Sequence, residues 1–72
     1  MQLKFTRRQY QVLQYICLSN ADIANLLNIK LNTVEAYMQI LRKMLGAKNK
    51  QEIIIQAIKH NIMSVHNFVL ND

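Results

Sequence analysis

"IKLNTVEAYMQILRKMLG", Ile29 to Gly46, is the stretch on which the fold turns. On a wheel of about 100° per residue, Val34, Met38, Leu41 and Leu45 gather on one side, and Asn32, Ala36, Gln39, Ile40 and Lys43 on the other. The run stops at Gly46, the only glycine in the chain, a residue that takes the left-handed conformation closing many helices. The spacing predicts a helix over 31–45 with one buried face and one mixed, exposed face. Insertion into a DNA major groove needs such a helix, and an ordinary amphipathic surface helix has the same pattern.

Where this helix starts is open between two readings. Asn32 and Glu35 have the spacing of a capping pair, "NTVE". A start at Lys30 instead lets Ile29 staple onto Val34, where a start at Asn32 offers only Leu31 against Ala36, and this favours the earlier start. In both readings Glu35 is expected in the first turn, where a carboxylate gains from the helix dipole.

Outward from this stretch, three further starts are legible. Thr6 and Gln9 in "TRRQYQVLQYIC" have capping-box spacing, with Phe5 placed to pack on Tyr10 or Leu13, and Tyr10, Leu13, Ile16 and Cys17 forming a stripe. Ser19 and Asp22 repeat the spacing in "SNADIANLLN", with Ile23, Leu26 and Leu27 expected inward and Asn28 as the closing residue. Asn49 and Glu52 open "NKQEIIIQAIKHNIM", whose isoleucines cover more than one stripe. Ile54, Ile55, Ile58, Lys59 and Ile62 are the expected face for the same helix of a second subunit. The alternative is that the tail "SVHNFVLND" folds back over this helix with Val65, Phe68 and Leu70.

Seventy-two residues with no proline and one glycine point to one all-α domain, 1–72, with its core over 5–63 and residues 64–72 as a tail or a short extra helix. A chain of this length buries only about 60% of its unfolded surface, so its margin of stability is thin. Nine Lys or Arg against four Asp or Glu leave a net charge of +5, which suits a polyanionic partner or simply a soluble basic protein. The single cysteine, Cys17, has no internal partner and falls in an apolar run, as a small core residue does. No apolar run is long enough for a membrane span and the amino terminus lacks a signal-peptide core, so a cytoplasmic protein is expected. His60 and His66 lack a nearby acid or nucleophile pattern, so no enzyme is expected, and neither a metal nor a cofactor.

The order of these pieces resembles the LuxR/GerE-type DNA-binding domain. "FTRRQYQVLQYI" is similar to that family's first helix through Thr6, Arg8, Val12 and Leu13. "LSNADIANLLNI" resembles its second helix and turn, "NTVEAY" its threonine-valine recognition helix, and "LGAKNKQEIIIQAI" its leucine-glycine turn and dimerising fourth helix. The resemblance runs from Phe5 to about Met63. It implies a four-helix helix-turn-helix domain, the partner double-stranded DNA, and a homodimer through the fourth helix. It also implies a bacterial or phage-encoded, nucleoid-associated regulator. Members often carry a receiver or sensing domain ahead of this module, and 72 residues leave no room for one, so a stand-alone regulator or an excised domain is expected. The sequence departs from the family in a shorter, glycine-free connection between the first two helices, which predicts a first helix ending near Ile16. It also departs at Lys30, Glu35, Tyr37, Ile40 and Met44, where the family has serine, a basic residue, histidine, asparagine and lysine. Arg42 and Lys43 offer charge from a different angle than the missing lysine.

Phosphate neutralisation supplies much of the affinity for DNA. Lys30, Lys43, Lys48 and Lys50 are the candidate cations, and the amino terminus of the second helix at Ser19 and Asn20 offers backbone amides. Thr33 is a phosphate candidate through its family counterpart. Asn32 and Gln39 match adenine edges and Ala36 and Ile40 match thymine methyls, which predicts an A/T-leaning site. Glu35 is a helix stabiliser or an acceptor for a cytosine amino group. Tyr37 reaches a phosphate or caps the core. A protein-docking module, acting on RNA polymerase or another transcription factor without reading DNA, is the alternative function.

Overall fold

The computed structural model of the chain describes residues 4–69 as four α-helices and a short 3-10 turn. Three of the helices start on the capping pairs. Helix α1, Arg7–Gln14, opens on a capping box in which Thr6 Oγ1 accepts from the Gln9 amide at 3.1 Å and Gln9 Oε1 accepts from the Thr6 amide at 2.9 Å. Helix α2, Asn20–Leu27, opens with Ser19 Oγ accepting from the Asp22 amide at 3.1 Å. Helix α4, Lys50–Lys59, opens with Asn49 Oδ1 accepting from the Glu52 amide at 2.9 Å, while Glu52 reaches back to the Lys48 amide at 3.2 Å.

Helix α3, Leu31–Leu45, is the exception. Its cap is Lys30, which makes no side-chain capping bond. The helix therefore takes the earlier of its two starts, with Ile29 half-buried against the core as a staple requires. This corrects the expectation for Glu35. It lies beyond the first turn, which holds no acid, and the dipole's influence fades within that turn.

Two left-handed residues end helices as their types predict. Asn28 has φ 55° and Gly46 has φ 63°. The amide of the following residue then bonds back into the helix, Ile29 to the Ala24 carbonyl at 2.9 Å and Ala47 to the Arg42 carbonyl at 2.8 Å. Helix α1 ends at Gln14, earlier than expected, and Ile16 and Leu18 are buried in the connection that follows. That connection turns without glycine, through the Leu18 amide on the Tyr15 carbonyl at 2.9 Å.

Helix α3 packs on α1, α2 and α4, so it is the centre of the core. Val34, Met38, Leu41 and Leu45 are buried as the wheel predicts, against Val12, Leu13, Ile16, Ile23, Ile53 and Ala57. Leu26 corrects the reading of α2, since it is 58% exposed. The inward stripe there is buried Ile23 and Ala24 with half-buried Leu27, and Leu26 sits about 110° from its centre.

Helix α4 stops at Lys59, and Asn61 with φ 58° turns the chain away. Ile62, expected on the α4 dimer face, thus lies beyond the helix and packs half-buried on the core. The tail forms the 3-10 turn Val65–Asn67. Phe68 enters the core, and the Val69 amide caps the end of α1 by donating to the Gln14 carbonyl at 2.8 Å. Val65 stays 57% exposed, against the expectation that it covers α4, and the expectation for Leu70 lies outside the described residues. No helix among the described residues is long and apolar enough to cross a membrane.

Candidate nucleic-acid interface

With Val34, Met38, Leu41 and Leu45 turned inward, the opposite face of α3 is free. Asn32, Ala36, Gln39, Ile40 and Lys43 are all exposed along it, and Lys30 stands exposed at its entry. The five predicted helix residues share one exposed face, a strip that Lys30 precedes at its amino-terminal end. Ile40 is 40% exposed, an apolar side chain left partly in water on a polar face. Glu35 is exposed on the flank of the strip.

Thr33 and Tyr37 lie on the other flank, both half-buried. Tyr37 packs against the core, so its ring serves the fold whatever its hydroxyl meets. On the Glu35 side, Arg42 lines an open cleft of about 280 Å³ together with Gln39, Lys43, Gly46 and Ala47. A side chain at Gly46 would meet nothing within 4 Å, so the cleft is open at its glycine end. Arg42 is exposed and stands beside the strip, on a flank, and its sequence signal as compensating charge does not include it among the contact residues. Its place in the wheel, about 70° from the buried centre, was the available signal.

The amino terminus of α2 contributes differently from the two predicted side chains. Ser19 Oγ is occupied by the Asp22 amide, and the first amides of a helix have no partner within it. Asn20 shares the buried side of α2 with Ile23 and Ala24, and its Oδ1 is buried with no hydrogen-bond partner among the described residues. What this end presents to an anion is backbone amide and helix dipole, not the Asn20 side chain.

The two lysines after α3 diverge. Lys48 is exposed. Lys50 is half-buried, and its Nζ donates to the Leu18 carbonyl at 2.7 Å, which takes it out of the set of free surface cations. Burial pulls its pKa below the ordinary 10.5, opposed by the nearby Cys17 sulfur. Cys17 itself is a free, half-buried thiol. No group of three His, Cys, Asp or Glu side chains gathers to hold a metal ion among the described residues.

On α4, Ile53 and Ala57 fill the core and Ile54 is half-buried. Ile55 and Ile58 are 58% and 41% exposed, with Lys59 exposed beside them. Among the described residues, the tail leaves Ile55 and Ile58 exposed.

The family of bacterial regulatory proteins of the luxR type, represented by GerE, matches residues 3–57. No curated protein and no solved structure matches the chain.

Proposed function

The chain belongs to the luxR family of bacterial regulatory proteins, and from that premise we propose that it is a sequence-specific DNA-binding regulator that lays α3 in the major groove as a homodimer. The observation that carries this reading is the exposed strip of α3, which combines Asn32, Gln39, Ala36 and Ile40 with Lys30 and Lys43. Asn32 and Gln39 suit adenine edges, and Ala36 and Ile40 suit thymine methyls. A helix in the groove points its two flanks at the two phosphate walls. Thr33 and Tyr37 serve one wall, and Arg42 with Lys43 the other, with Lys48 close behind. The α2 amino terminus adds neutral amide contacts at Ser19 and Asn20. Glu35, outside the first turn and exposed, gains more weight as an acceptor for a cytosine amino group than as a dipole partner.

Ile55, Ile58 and Lys59 are the proposed meeting face of two subunits. A pair of exposed isoleucines one turn apart is apolar surface that a two-fold partner would cover. Ile54 borders that face and Ile62 does not belong to it.

Selection of bound duplex from a random pool tests the whole reading. Two symmetric, A/T-leaning half-sites are expected. A guanine-rich consensus would remove the base assignments, and a single unpaired site would remove the dimer. The rival reading is docking on RNA polymerase or another transcription factor, favoured by the exposure of Leu26 on α2 and Leu31 at the start of α3, 58% and 49%. Failure to bind any duplex at low salt, where phosphate attraction is strongest, would favour that rival instead.

A further inference from the structure

Lys50 opens α4, where the positive end of a helix disfavours a cation. Nothing local holds it there. Its bond to the Leu18 carbonyl crosses 32 residues, whereas every other side-chain hydrogen bond among the described residues joins partners three or four apart. Leu18 is itself buried and directly precedes Ser19, the cap of α2. The bond therefore grips the chain one residue before the amino terminus that offers amides to the DNA backbone. The connection it grips is short and has no glycine, so movement at Leu18 passes directly to Ser19 and Asn20.

We propose that Lys50 is a positioning residue, through which α4 sets the α2 amino terminus at the distance needed to meet a DNA phosphate. The inference rests on the DNA-binding reading and deepens it. One hydrogen bond links the helix that carries Ile55 and Ile58 to the phosphate-binding end of α2. Lys50 touches no phosphate itself. Removing it leaves the number of neutralised phosphates unchanged and displaces a contact made by neutral amides.

The test is binding of the selected duplex across a range of salt, for the wild-type chain, Lys50→Met and Lys50→Gln, with circular dichroism confirming the helices. Loss of a charge-assisted hydrogen bond is expected to weaken binding about tenfold. The slope of log affinity against log salt should stay at the wild-type value, because no phosphate cation has been lost. A methylphosphonate scan of the duplex completes the test. Neutralising the phosphate that faces α2 should weaken the wild type and add little to the Lys50 variants. A slope reduced by about one would make Lys50 a direct phosphate contact and overturn the proposal. Wild-type affinity in a folded variant would reduce the bond to a stabilising one and overturn it equally. Should Lys50→Met unfold, the milder Lys50→Gln carries the same readouts. Failure of the wild-type chain to bind duplex at all would instead sink the DNA-binding reading beneath it.

Discussion

Lys30 and Lys50 look alike in the sequence. Each stands at the start of a helix, each is a cation where the helix dipole is positive, and each suits a phosphate. The fold separates them. Lys30 is exposed at the entry to α3, caps nothing with its side chain, and sits at one end of the exposed strip. Lys50 is half-buried and holds the Leu18 carbonyl. The difference lies in what surrounds each start. Helix α3 has its apolar anchor in Ile29 and leaves Lys30 to solvent. Helix α4 already has its cap in Asn49, and the buried connection between α1 and α2 passes beside it. A helix-start lysine is thus free or engaged according to its tertiary neighbours, and the local pattern is silent on which.

This contrast can be broken or sharpened by four changes, in order of effect. Ile53→Ala removes the fully buried anchor next to Lys50 and should cost about 2–5 kcal/mol in urea denaturation, a large part of the stability of so small a domain. A loss under 1 kcal/mol would mean that α4 is not held by the core in this way. Asn49→Ala takes away a cap whose oxygen accepts the Glu52 amide and should cost about 1 kcal/mol by the same measurement. Lys30→Ser should move stability the other way, adding about 0.5–1 kcal/mol by supplying the side-chain cap that α3 lacks. The same variant should bind DNA less tightly, with a salt slope lower by about one phosphate contact. Destabilisation by Lys30→Ser would show that the lysine stem packs at the helix entry. The smallest effect belongs to Lys30→Met. It should leave stability within about 0.5 kcal/mol and still lower the salt slope, where Lys50→Met lowers affinity at constant slope. If the two lysine variants behaved alike, the contrast between them would fail.

Much of the fold was legible because helix signals are local. Thr6–Gln9, Ser19–Asp22 and Asn49–Glu52 cap where their spacing predicts, and Asn28 and Gly46 close helices through the left-handed conformation. The buried face of α3 was legible too, since four apolar residues at helical spacing leave little choice of side. The errors arose where a local pattern had two outcomes. Leu26 and Leu27 are equally apolar, and only the direction of α2 against α3 decides that Leu27 goes inward. Ile62 continues the isoleucine spacing of α4, yet Asn61 ends the periodicity before it is used. Glu35 lost its expected place in the first turn because a helix capped at Lys30 completes that turn before residue 35.

The sequence by itself determined the helices, their caps, the inward face of α3 and the exposed polar strip opposite. Its residues also carry the family resemblance. All of these rest on hydrogen bonds and apolar spacing within a few residues along the chain. Only the tertiary structure decided that Lys50 is engaged and Lys30 free, that Asn20 turns its oxygen inward, that Arg42 borders a cleft, and that Phe68 rather than Val65 fills the core. Each of those outcomes depends on which distant backbone or side chain arrives alongside, and a one-dimensional pattern does not encode that arrival.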